Sequence, residues 1–167
     1  MKPRTEVKKV RGRQAEAAIL FAVGPYKFAI AASEVDEIRD MHGLTPASLP
    51  GGTTSVRKIR YALRRERQTY HVVDASCHFE MKPSQPSRIM VLRGGLAALT
   101  ADSIDRMADI TAIAPLPRAF SGRERQWFRG VAIIDDLIVP VVNSRSVISD
   151  VQTELARTAL AVDGARA

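Results

Sequence analysis

The chain has 167 residues, 46% of them hydrophobic and 26% charged, enough to bury one ordinary core or two small lobes that share an interface. Its net charge of +7 is concentrated in residues 1–14 and 57–67, each at +5, so the remainder stands at −3 and the fold itself is not basic. The single cysteine, Cys77, excludes an internal disulfide and fits a reducing, cytoplasmic setting.

Residues 1–15 form a basic arm, with Lys2, Arg4, Lys8, Lys9, Arg11 and Arg13 against Glu6, and are expected to be disordered. Gly24-Pro25 ends the apolar stretch that follows after seven residues, so it is not read as a signal peptide. No stretch approaches the roughly 20 apolar residues that a membrane-spanning helix needs. Ile19 to Val23 and Tyr26 to Ile30, flanking Gly24-Pro25, read as a β-hairpin. Ser33 is positioned to cap a short helical turn whose Val35 and Ile38, at i, i+3 spacing, face the core. Thr45-Pro46 and Leu49-Pro50-Gly51-Gly52 read as an irregular link. Arg60 to Leu63 and Thr69 to Val73 form a second hairpin around a charged turn.

Lys82-Pro83-Ser-Gln-Pro86-Ser87 is a junction, after which the pattern starts again. Ile89 to Leu92 and Leu96 to Leu99 flank Gly94-Gly95, Asp102 stands as a cap before Ile104 and Met107, and Val131 to Ile134 and Leu137 to Val142 form a last hairpin. Shifted by 69 residues, Phe28–Ile38 falls on Ala97–Met107, Thr69–Asp74 on Ile138–Asn143, and the basic turn Glu66-Arg67 on the acidic turn Asp135-Asp136. Two lobes, about 16–82 and 88–150, are therefore expected to superpose about a pseudo-twofold. Val35, Ile38, Val73, Ile104, Met107 and Val142 are the expected core positions of the repeat. The fold class is mainly β, small barrels or a sandwich with short helices. In the tail, 151–167, Ser149-Asp150 stands as the cap of a last helix with a thin stripe of Val151, Leu155, Ala159 and Val162, ended by Asp163-Gly164.

No phosphate-cradling glycine loop, catalytic triad or nucleophile elbow is present, and no catalytic residue or cofactor is expected. His71, Cys77 and His78 invite a metal reading, but adjacent Cys77 and His78 point oppositely on a strand and His42 stands alone, so no metal is expected. Glu34, Asp36 and Glu37 read as a solvated face or a binding surface. At least one of Trp127 and Phe128 is assigned to the core. The Arg64-Arg65-Glu66-Arg67 turn is either a contact for an acidic partner or a solvated hairpin tip. No aromatic platform interleaves its charges, so nucleic acid is not expected.

Val35-Asp-Glu-Ile38 after a hairpin, Leu49-Pro50, the hairpin ending Val72-Val73-Asp74, Ile104-Asp105-Arg106-Met107, Pro115-Leu-Pro117 and Phe128-Arg-Gly130-Val131 occur in the order of a CheW-like domain. The resemblance covers about residues 16–150. It implies two five-stranded, SH3-like β-barrel lobes packed as one domain. It also implies a non-enzymatic, cytoplasmic adaptor that links chemoreceptor tips to the regulatory domain of a CheA-like histidine kinase, near membrane-associated receptor arrays but with no direct membrane insertion.

The central hairpin departs from the family. Its usual form is Gly-Val-Ile-Asn-Leu-Arg-Gly with a Pro a few residues later. Here the matching stretch is Tyr61-Ala-Leu-Arg64-Arg65-Glu66-Arg67, with His71 in place of the Pro. Glu66 stands where the family has an arginine that pairs with a glutamate matching Glu37; Arg65 or Arg67 is the available substitute. Val35, Glu37, Arg64, Arg65, Glu66 and Arg67 are thus the candidate partner-binding residues. The rival readings are a CheW-like regulator of another cytoplasmic protein and a polyanion binder.

Overall fold

The structure, a computed structural model, describes residues 14–47 and 58–165. The basic arm up to Arg13, the link at Leu49-Pro50-Gly51-Gly52 and Arg57 lie outside the described residues. Glu16–Val23 (β1) and Tyr26–Ala31 (β2) form the first hairpin. Gly24 closes it at φ 55°, left-handed backbone suited to a two-residue turn. Its N–H donates to Asp102 Oδ2 at 2.8 Å. A 3-10 turn, Ala32–Glu34, leads into Val35–Asp40 (β3), Thr45–Pro46 (β4), Ile59–Arg65 (β5), Gln68–Val73 (β6) and Ala75–His78 (α1). The second half supplies Arg88–Leu92 (β7), Ala97–Ala101 (β8), Ser103–Ile110 (β9), Glu124–Trp127 (α2), Phe128–Ile134 (β10), Leu137–Val142 (β11) and Ser144–Gly164 (α3).

These strands make two sheets, in the orders β10-β11-β2-β1-β9 and β3-β7-β8-β6-β5-β4. The repeat is exact at the level of pairing. Val72 lies opposite Ala98 in one sheet, and Val141 opposite Ala29 in the other, the same parallel pair shifted by 69 residues. Ile38 opposite Met90 has its equivalent in Met107 opposite Ile19, with β1 and β7 offset by two further residues because the β7–β8 hairpin is shorter by two between equivalent pairs, Val91 opposite Ala98 against Leu20 opposite Ala29. Even the bulges recur, between Ile59 and Tyr61 and between Phe128 and Gly130.

Neither half is a lobe by itself, however. Each half gives its first hairpin to one sheet and its remaining strands to the other, so lobes at 16–82 and 88–150 are replaced by a reciprocal exchange. The first hairpin is buried along most of its length on both faces, so it needs cover from neighbours on either side and from a second layer. β9 and β11 flank it in its sheet, and the other sheet packs on one face.

The barrels are not closed ladders: the outer strands β3 and β5 do not pair with each other. Closure comes instead from chain continuity. After β3 the chain returns as β4 and pairs with β5, Thr45 opposite Ala62. Thr45-Pro46, expected as irregular link, is therefore a short edge strand. Its equivalent is Ala114, which bridges to Val131.

Alternate residues of the continuous apolar strands feed different cores. Ile19, Phe21, Val23, Phe28 and Ile30 meet Val73, Met90, Leu92 and Leu99 between the sheets. Ala18, Leu20 and Ala29 instead pack with Ala132, Ile134, Val139 and Val141 inside the first sheet's curl. Leu63, Val72, Ile89, Val91 and Ala98 do the same in the second. The inter-sheet core is asymmetric where the repeat has diverged. Phe28 stacks on Phe79 at 4.8 Å and Phe128 at 6.0 Å, while its equivalent is Ala97, and the equivalents of Phe79 and Phe128 are Ile148 and Ile59, so the ring stack has no counterpart. Trp127 is buried beside them.

The helical reading of Val35 to Ile38 and of Ile104 to Met107 fails: both segments are outer strands, and neither Ser33 nor Asp102 caps a helix. Val35 is buried, and Ile104 packs partly against the same core. Ile38 and Met107, at equivalent positions farther along these outer strands, are 40% and 55% exposed and are not core residues. An outer strand has a neighbour on one side only, so cover along it is uneven, and in β9 the last residue, Ile110, is buried again beyond Met107.

α3 starts at Ser144, earlier than expected, and Ser149-Asp150 lies inside it. Asn143 accepts from the Arg145 N–H through Oδ1 at 3.2 Å, as its equivalent Asp74 accepts from Ser76 N at the start of α1. Val147, Ile148 and Val151 seat α3 on the inter-sheet core. Asp150 anchors it further, with Lys58 Nζ at 3.1 Å and the fully buried His78 Nδ1 at 3.3 Å, the latter poorly aligned. His78 first and Lys58 second hold the Asp150 carboxyl down at about 2.

Val73→Ala and Val142→Ala remove equivalent buried side chains, and each should cost about 1–3 kcal/mol through lost transfer energy and an unfilled cavity. Urea denaturation measures it; an unchanged midpoint in both would contradict the core assignment. Asp150→Asn should lower the denaturation midpoint at neutral pH. Because the folded pKa is depressed, the Asp150 contribution is complete above the ordinary carboxylate value of about 3.9. The gap between wild type and variant should therefore narrow as pH falls toward about 2.

Candidate partner-binding edge

Strand β3 carries three charges in its first five residues, and no neighbouring strand covers its outer edge. Across the open side of the curl stands the end of β5. Arg65 spans the gap: its Nη1 donates to Asp36 Oδ2 at 2.5 Å, and its Nε lies 3.4 Å from Glu37 Oε2. Arg93, from the β7–β8 turn, approaches Asp36 Oδ1 from the other side at 3.8 Å, and Arg39 lies 3.8 Å from Glu37. The Arg65 hydrogen bond, followed by the charges of Arg65 and Arg93, holds the Asp36 carboxyl below its usual range. The same contact raises the Arg65 guanidinium.

Of the six residues singled out from the sequence, the structure brings Glu37 and Arg65 together. Val35 is largely core and offers little surface. Glu66 occupies the tip of the β5–β6 turn at φ 55°. Arg64, Glu66 and Arg67 are exposed around that turn and make no ion pair among the described residues. Asp36, by sequence a solvated-face or binding-surface residue, joins the cluster, and Arg93, which the sequence did not single out, completes it. The 69-residue shift carried a signal for it, because Glu37 falls on Arg106 and Glu66 on Asp135. In the other lobe Arg106 does pair with Asp135, so an ion pair joins the equivalent strand and turn with its polarity reversed.

The two equivalent hairpins present opposite chemistry. Arg64, Gln68 and Thr69 on β5–β6 correspond to Ile133, Leu137 and Ile138 on β10–β11, of which Ile133 and Ile138 are 75% and 72% exposed. That apolar face continues into a groove walled by Tyr26, Phe28, Phe120 and Trp127. Contiguous exposed apolar surface of this kind is characteristic of contact sites. A family profile described as CheW-like domain matches residues 17–152.

The chain belongs to the CheW-like domain family. It is 27% identical over 149 residues to a probable chemotaxis protein CheW of Rhizobium etli, an alignment covering 83% of this chain and 90% of that protein. Among solved structures it is similar to the scaffolding protein TtCheW of Thermoanaerobacter tengcongensis, with a TM-score of 0.66, 17% identity, and coverage of 78% of this chain and 90% of that one. The latter likeness is one of fold.

Arg65→Ala should loosen the open side of the second sheet, seen as faster amide exchange along β3, while Arg64→Ala and Arg67→Ala should leave exchange unchanged. Equal effects from all three would remove Arg65 from its bridging role. With the Asp36 pKa depressed in the folded state, the contribution of this bridge is complete above about 3.9. It is lost only as pH falls through the lower folded value.

Proposed function

We propose that the chain is a non-enzymatic adaptor of a chemosensory signalling system, coupling chemoreceptor tips to the regulatory domain of a CheA-like histidine kinase through protein contacts alone. The observation that carries this reading is the bridged β3 edge within a CheW-like fold. Arg65 supplies to Glu37 the cation that the family places one residue later, at the position of Glu66. An ion pair at the surface adds little stability. Its value lies in fixing two side chains of opposite charge at an edge where a partner must match both.

An adaptor also needs a second surface. The exposed Ile133, Leu137 and Ile138 on β10–β11 supply an apolar one, well separated in chemistry from the basic β5–β6 turn. Among the described residues no helix is long and apolar enough to cross a membrane. In this reading the protein works in the cytoplasm, held at receptor arrays by its partners.

A second reading follows from the rewritten turn: the same fold serves a different cytoplasmic protein with an acidic surface, met by Arg64 and Arg67. Replacing both by Ala should leave the melting temperature unchanged and weaken the native partner several-fold, more so at low salt. Glu66→Arg should strengthen binding to a generic receptor tip. Calorimetry against a receptor tip and a kinase regulatory domain at two salt concentrations separates the cases. No binding of either protein by the wild-type chain would overturn the adaptor reading. Unaltered affinity in both variants would reduce the turn to a solvated hairpin tip. A steep salt dependence with mixed nucleic acid would instead favour polyanion binding.

A further inference from the structure

We draw no further inference here: the strongest candidate, the apolar groove of about 500 Å3 beside the β10–β11 hairpin, walled by Tyr26, Phe28, Phe120 and Trp127, is an unpartnered face continuous with the contact surface already described, and nothing in the structure shows what covers it.

Discussion

Everything else in this molecule depends on the apolar contact between its two sheets. Phe21, Phe28 and Ile30 from one meet Leu92, Leu99 and Met90 from the other, and α1, α2 and α3 seal the margins with Phe79, Trp127, Val147 and Val151. Each sheet is assembled from both halves of the chain, so neither can form before the other half arrives. The exchange makes burial of that shared face and completion of each sheet one event. Two repeats that could each have been a separate lobe are thereby tied into a single cooperative unit.

Exchange leaves each sheet with an open side, and the chain handles both sides in the same way. A strand that ends one edge turns back to pair with the opposite edge, as β4 does on β5 and Ala114 does at Val131. Charge then bridges what remains. On one side the acids are on the outer strand and the base is on the hairpin, Asp36 and Glu37 with Arg65; on the other the order is reversed, Arg106 with Asp135. Opposite polarity gives each outer strand an attraction to its own hairpin and a repulsion toward the other's. The divergence of the two repeats thus serves assembly.

The same divergence separates surfaces. A basic turn on β5–β6 and an apolar face on β10–β11 occupy equivalent places on equivalent hairpins, so one scaffold offers two kinds of contact without any change of backbone. Rigid strands carry both, which keeps their spacing fixed. For the adaptor function proposed above, that spacing is the property that matters.

The sequence by itself determined the repeat, its 69-residue register, the hairpins and the mainly β class, because apolar runs, turn residues and their order are local facts. It also placed Val73 and Val142 in the core and left Arg65 or Arg67 as the cation for Glu37, a choice that the fold makes in favour of Arg65. It did not determine which half supplies which sheet, since pairing between distant strands leaves no local trace. Val35 to Ile38 read as a helical turn because i, i+3 apolar spacing is shared by a helix and by an outer strand carrying a bulge between Val35 and Glu37. Ile38 and Met107 read as core because hydrophobicity shows what could be buried, and only the position of β3 and β9 at the sheet margins leaves them exposed. Asp36 and Arg93 came together through three separate elements, β3, β5 and the β7–β8 turn, and no spacing along the chain records a meeting that only the folded sheet brings about.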